Sequence, residues 1–408
     1  MSSGNNSIQN DTIRTVYNKP LRQPFDNHKI PESFSINIAL MTGAYHSSFP
    51  QYKATPLIKL KNLATKLNVG QILVKDESYR FDLNAFKVLG ATYAIGKLLA
   101  QKLQLDFEKV DYDFLKSKTA TKKTGILTFA TASDGNHGRG LAWTAAQLGH
   151  RAAVFLPKGT VKSRIEAIRQ TGAETIITEY DYDDSVQHAK EAANKNGWIL
   201  VQDTAFEDYT EIPLWIMQGY TTMAAEASVQ MHELDIEKPT HVFLQAGVGS
   251  MSAAVLGYLM NAFAEKYPLT IIIEPHQAAC FYRSVEIGDG YPHPADGCLK
   301  TMMAGLSCGV PSTIAWNIIR DFADTMISCS DSIAAEGMRI LARPHGDDNK
   351  IISGESGAVG IGLLVEIMKN NKYSDLRRSL NINKESIVLL FNTEGATDPE
   401  NYRKIVGQ

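Results

Sequence analysis

The run Ile126-Leu127-Thr128-Phe129-Ala130-Thr131-Ala132-Ser133-Asp134-Gly135-Asn136-His137-Gly138 decides the fold. It opens with an apolar strand, Ile126 to Ala130, and closes on a turn of small polar residues. A helical pattern follows from Arg139 to Leu148, then a strand from Ala152 to Leu156. The alternation continues with helix Lys162 to Gln170, strand Glu174 to Ile177, helix Ser185 to Asn194 and strand Trp198 to Val201. A long helix, Pro213 to Leu234, leads to strand His241 to Gln245, helix Met251 to Ala264 and strand Thr270 to Glu274. Strands alternating with helices at this spacing predict an α/β protein with parallel-rich open sheets and helices on both faces. Ligands of such sheets bind beyond the carboxyl ends of the strands, so the turns that follow strands are where chemistry is expected.

Upstream, a helix from Leu60 to Leu67, a strand at Ile72 to Val74 and a charged turn, Lys75 to Ser78, precede Asn84-Ala85-Phe86-Lys87-Val88-Leu89-Gly90. Here Asn84 is read as a helix cap and Lys87 as a residue of the first helical turn. A helix start and apolar neighbours both disfavour the charged form of a lysine, so Lys87 is a Schiff-base candidate. The ordinary alternative is a solvated surface lysine. Leu105 to Lys123 reads as an insertion, a short helix with a surface loop. Beyond a loop-rich stretch, Gly288 to Gly309, come helices near Ala315 to Thr325 and Ala334 to Ala342, the loop Ser353 to Gly357, and the strand Ile387 to Phe391.

Gln245-Ala246-Gly247-Val248-Gly249-Ser250-Met251 is a strand end, a glycine-rich loop and a helix start. Such a loop closes backbone N–H groups on an anion, aided by the helix dipole. A nicotinamide dinucleotide is the competing ligand, because Gly247 and Gly249 fit the first two glycines of GxGxxG and Glu274 ends the next strand. Ser252 occupies the third glycine position, and that reading leaves Lys87 and Asn136 without a role. A lysine amine, a cradle for one phosphate and an asparagine able to donate to a ring oxygen together describe a site for pyridoxal 5′-phosphate.

The chain resembles the fold-type II, tryptophan-synthase-β-like enzymes that use this cofactor, and among them the diaminopropionate ammonia-lyases. The resemblance lies in Lys75 to Ser78, Leu83 to Lys87, Asp134 to Gly140, Val201 to Ala205, Trp215 to Tyr220, Leu244 to Gly249, Ser353 to Gly360 and Thr393 to Gly395. The stretches Asp134-Gly135-Asn136-His137-Gly138-Arg139-Gly140 and Gln202-Asp203-Thr204-Ala205 point to the lyases in particular. Phe206 and Asp208 depart from the pattern, standing where Trp and Gly are expected.

The resemblance implies a carbon–nitrogen lyase that converts D- and L-2,3-diaminopropionate with water into pyruvate and two ammonia. It implies that Lys87 binds the cofactor and takes the Cα proton of the L-isomer. Asp134 becomes the base on the other face, for the D-isomer, and Asp203 a second active-site acid. Asn136 meets the ring hydroxyl, Gly247, Val248, Gly249, Ser250 and Met251 hold the phosphate, and Thr393 meets the pyridine nitrogen. An ordinary reading of Asp134 is a helix cap, and of Asp203 a turn residue. A homodimer is implied as well. The expected division is an N-terminal extension (1–28), a large domain (29–86 with 206–408) and a small domain (87–205), with the cofactor in the cleft between. The rivals are a serine/threonine dehydratase-like enzyme, a nicotinamide oxidoreductase and a non-catalytic carrier of the cofactor.

Composition agrees with a small-molecule enzyme. The 408 residues are 44% hydrophobic and 21% charged, with a net charge of −3. This balance gives no reason to expect nucleic acid or an anionic membrane as partner. No apolar run reaches the ~18 residues of a membrane span. The polar, mixed-charge N-terminus, read as partly disordered, lacks a secretory or transit pattern, so a cytoplasmic protein is expected. Cys280, Cys298, Cys308 and Cys329 form no C-x-x-C pair and have no His at metal-ligand spacing. They are read as buried or semi-buried thiols, and no metal site is expected.

Overall fold

The computed structural model describes residues 12–133 and 135–407. The strands are β1 (Ile13–Tyr17), β2 (Leu57–Lys59), β3 (Gln71–Asp76), β4 (Thr128–Ala132), β5 (Arg151–Leu156), β6 (Glu174–Ile177), β7 (Ile199–Leu200), β8 (His241–Gln245), β9 (Leu269–Pro275), β10 (Thr325–Cys329) and β11 (Ile387–Asn392). Among the described residues they form a seven-stranded sheet, β1-β10-β9-β8-β11-β3-β2, and a four-stranded sheet, β6-β5-β4-β7. The smaller sheet is parallel throughout. The larger is parallel from β10 to β3 and antiparallel only at its edges, β1 and β2. Its inner strands are covered on both faces, which is why Ile271-Ile272-Ile273 and Val388-Leu389-Leu390-Phe391 are unbroken apolar runs.

The structure moves several expected boundaries. The helix after β4 runs Asn136–Gln147, beginning three residues before its predicted start, so Asn136 stands in its first turn. The next crossover helix but one, Tyr182–Asn196, likewise starts earlier, which brings Tyr182 to the carboxyl edge of the small sheet. β1 and β10 carry no clear sequence signal. They exist because Ile13–Tyr17 pairs with Thr325–Cys329 across most of the chain. No helix among the described residues is long and apolar enough to cross a membrane. The four cysteines are free thiols, and Cys298 is exposed rather than buried.

The charged stretch at the end of β3, whose first two residues belong to the strand rather than to the expected turn, is not solvated. Lys75, Glu77 and Arg80 are fully buried. Arg80 donates to Glu77 Oε2 at 2.8 Å and to Glu226 Oε2 at 2.7 Å, and Lys75 Nζ lies 2.7 Å from the same Glu226 oxygen. Buried charges persist only when paired and hydrogen-bonded, as these are. Burial opposes the Glu226 charge, yet Arg80 and Lys75 pull its pKa down to about 2. Glu226→Ala leaves two cations short of their partner. It is expected to cost about 3 kcal/mol or more in stability, measured as a lower denaturant midpoint.

Glycine sets the distance between helices beside the cleft. A Cβ at Gly140 would lie 2.8 Å from the Cα of Val88. That close approach seats the helix Asn136–Gln147 against the residue that follows Lys87.

Candidate active site

The site assembles where strands of both sheets end. β11 lies beside β8, with Leu390 opposite Phe243, so Gln245 and Thr393 emerge side by side. β7 lies beside β4, with Leu200 opposite Ala130, so Asp203 emerges level with Ser133. The side chain of Gln202 ties those two ends together, accepting from Ala132 N at 2.9 Å and from Thr131 Oγ1 at 2.9 Å.

Lys87 is held differently from the expectation. Asn84 does not cap the helix; its backbone is left-handed, with φ 62°. Its carbonyl accepts from Gly395 N at 2.9 Å, and Thr393 O accepts from Phe86 N at 3.1 Å. These bonds strap residues 84–87 to the chain leaving β11. The helix then runs Val88–Leu103, with Lys87 in the N-cap place. Lys87 Nζ donates to Asp203 Oδ2 at 2.7 Å.

Asp203 is buried, and its other oxygen accepts from Tyr182 OH and from Gln202 Nε2, each at 3.3 Å. His137 Nδ1 lies 3.9 Å from Oδ2. Burial works against charge on Asp203, but the Lys87 ammonium, His137 and the hydrogen bonds from Lys87 and Tyr182 hold its carboxyl well below the usual carboxylate range. Ser250 Oγ donates to the Asp203 carbonyl at 2.8 Å, which joins this acid to the glycine loop.

The loop turns on Gly249, whose φ is 87°. A side chain there would also collide with the ring of Phe281. At Gly247 a Cβ would come within 3.1 Å of Gly305 O and Cys308 Sγ. The helix Ser250–Phe263 follows directly. Its first N–H groups have no intrahelical partner, and its dipole places positive charge at this end.

Thr393 Oγ1 accepts from Gln245 Nε2 at 3.0 Å, so its own hydrogen is directed to another acceptor, such as a pyridine nitrogen. Asn136 Nδ2 donates to Glu394 Oε2 at 2.6 Å. One cavity is lined by Lys87, Asn136, Asp203, Gln245 to Ser252, Thr393 and Glu394. Asp134 lies outside the described residues.

Among the described residues, three buried polar atoms of this lining, Tyr220 OH, Gln245 Oε1 and Ser356 Oγ, have no hydrogen-bond partner. Buried polar groups are nearly always paired, so this wall suits a polar ligand. With a phosphate cradle, a lysine amine and a hydroxyl for a ring nitrogen, the residues fit pyridoxal phosphate.

Comparison with known proteins agrees. Residues 49–391 match the family described as "Pyridoxal-phosphate dependent enzyme". A diaminopropionate ammonia-lyase of Salmonella typhimurium is 50% identical over 364 residues, covering 89% of this chain and 90% of that protein.

The chain belongs to the diaminopropionate ammonia-lyase branch of the pyridoxal-phosphate dependent enzymes.

For this branch, a crystal structure of holo diaminopropionate ammonia-lyase from Escherichia coli superimposes with a TM-score of 0.90 at 45% identity, covering 97% of this chain and 96% of that one. A structure of the E. coli lyase with an aminoacrylate-PLP azomethine reaction intermediate superimposes with a TM-score of 0.87, at the same identity and coverage. Family membership removes the nicotinamide reading of Gly247 and Gly249. Asp208 has φ 62°, a backbone that glycine favours and aspartate tolerates. The neighbouring Phe206 ring stacks on Tyr209, with centroids 4.8 Å apart.

Sequence reasoning left Tyr182, Tyr220, His137 and Glu394 without roles in this lyase-like site. Gln245 had a signal, a polar residue ending an apolar strand. Tyr182 was hidden by the misplaced helix start. Nothing local distinguishes Tyr220 within its apolar helix.

Proposed function

We propose that this chain converts D- and L-2,3-diaminopropionate and water into pyruvate and two ammonia. The observation that carries this reading is the Lys87–Asp203 pair, an amine and an ionised carboxylate 2.7 Å apart beside a glycine-rich phosphate loop. The names of its relatives support it.

Gly247 to Met251 hold the phosphate of the cofactor, Asn136 its ring oxygen and Thr393 its pyridine nitrogen. A neutral hydroxyl at that nitrogen does not force protonation as a carboxylate would, which favours elimination over transamination. Bound pyridoxal phosphate supplies an electron sink for the pair left on Cα when its proton departs. Lys87 Nζ takes that proton from the L-isomer. Asp203 receives the β-ammonium of the substrate and assists its departure as ammonia. Tyr182 and Gln202 hold the far oxygen of Asp203, so that Oδ2 stays directed at Lys87. Asp134 is the base on the opposite face, for the D-isomer. Water then releases the second ammonia, which leaves pyruvate.

The division into 29–86 with 206–408 and 87–205 is supported by strand membership, because β4 to β7 all fall in the second segment. Assembly as a homodimer rests on the family resemblance.

Pyruvate release from the D- and L-isomers, with serine and threonine alongside, tests the reading. Wild type is expected to turn over both isomers. Asp134→Asn is expected to lose about 100-fold on the D-isomer while keeping most of its activity on the L-isomer. Turnover of serine or threonine alone would place the chain with the dehydratases, and Asp134 as a helix cap.

A further inference from the structure

We propose that Glu394 is a positioning residue for the cofactor, acting by fixing the side-chain amide of Asn136. The inference rests on the reading that Asn136 meets the ring oxygen.

An asparagine can present either its nitrogen or its oxygen at a given place. What surrounds it decides which. Glu394 Oε2 accepts from Asn136 Nδ2 at 2.6 Å, and Thr397 Oγ1 donates to the same oxygen at 3.4 Å. Glu394 Oε1 accepts from Ser356 N at 3.2 Å. Ser356 is in the first turn of the helix Glu355–Lys369, where N–H groups have no intrahelical partner. An ionised carboxylate only accepts, so it demands the nitrogen of Asn136 on its own side. The amide nitrogen carries two N–H groups. With one committed to Glu394, the other is directed to the cavity.

Glu394 is itself fixed. It is 2% exposed, its residue pairs with Ala85 in an isolated bridge, and its carbonyl accepts from Gly354 N at 2.9 Å. It follows Thr393 in the chain. One short segment thereby sets two contacts to the ring, Thr393 directly and Asn136 through Glu394. A glutamine at this position has a single acceptor oxygen. It satisfies Asn136 or Ser356 N, not both, and so permits the Asn136 amide to turn over.

The test compares Glu394→Gln, Asn136→Ala and the double variant. Two quantities are read: the dissociation constant of pyridoxal phosphate, titrated into cofactor-free protein by fluorescence, and the balance between the two long-wavelength absorption bands of the bound cofactor. Glu394→Gln is expected to weaken binding about tenfold. It is also expected to shift the bands in the same direction as Asn136→Ala. In the double variant, Glu394→Gln should add nothing to the effect of Asn136→Ala. Additive effects would make Glu394 merely structural and overturn the proposal. So would a wild-type spectrum in Glu394→Gln when Asn136→Ala is shifted. An unshifted Asn136→Ala would remove the underlying assignment of Asn136 instead. If Glu394→Gln does not fold, Glu394→Asp replaces it, keeping the charge but falling one methylene short of Asn136. A wild-type spectrum from that variant overturns the proposal equally.

Discussion

Lys87→Ala is expected to lower the release of pyruvate from both isomers by about a thousandfold or more, with the protein still folded. The amine has two duties in the proposed reaction, to attach the cofactor and to take a proton at Cα. Covalent attachment and proton transfer by a positioned group each contribute large factors to rate. Among the described residues, Lys87 is the one lysine lining the cavity that holds the glycine loop and Asp203. The loss should not come from unfolding, because the surrounding straps are backbone bonds from Phe86 and Gly395 that an alanine keeps. Absorption spectroscopy provides the second check: the lysine-dependent band of the bound cofactor should vanish. Retention of more than a tenth of the wild-type rate would remove Lys87 from the chemistry.

Asp203→Asn is expected to lower kcat by about a hundredfold to a thousandfold. The amide is nearly isosteric, so Tyr182 and Gln202 keep a neighbour of the same shape. What disappears is the charge that faces Lys87 and, in the reaction, the β-ammonium of the substrate. In the protein without cofactor, the Lys87 ammonium and His137 hold the carboxyl below its usual range despite burial, so there Asp203 stays ionised throughout the neutral range. Its native pairing therefore stabilises the fold above about pH 4 and is lost only as pH falls further. Below about pH 4 the wild-type protein without cofactor should lose stability that Asp203→Asn does not lose, read as the denaturant midpoint against pH. A midpoint that falls near neutrality in wild type but not in Asp203→Asn would show instead that Asp203 titrates there.

The two variants also separate the duties of the pair. Lys87→Ala removes attachment and should abolish the lysine-dependent absorption. Asp203→Asn should keep that absorption while losing turnover. A loss of both properties in Asp203→Asn would recast it as a residue that only positions Lys87.

By itself, the sequence determined the alternation of strands and helices, because buried parallel strands must be apolar runs and crossover helices must be amphipathic. It also determined the glycine loop, since Gly247 and Gly249 between a strand end and a helix start allow backbone N–H groups to close on an anion. Lys87 and Asn136 could be named from their own stretches of sequence, one opening a helix and one in the turn after a strand, whereas Asp203 and Thr393 are named from the family resemblance. The tertiary structure decided the rest, because the deciding partners are remote in the chain. It turned Asn84 from a cap into a strap, by bonds to the segment after β11. It paired β1 with β10 and buried the Lys75, Glu77 and Arg80 charges against Glu226. It set Asp203, 116 residues away, against Lys87, and Glu394, 258 residues away, against Asn136. Local pattern reports which face of an element is buried. Which charge meets which depends on how the strand ends of two sheets are brought together, and no window of neighbouring residues contains that information.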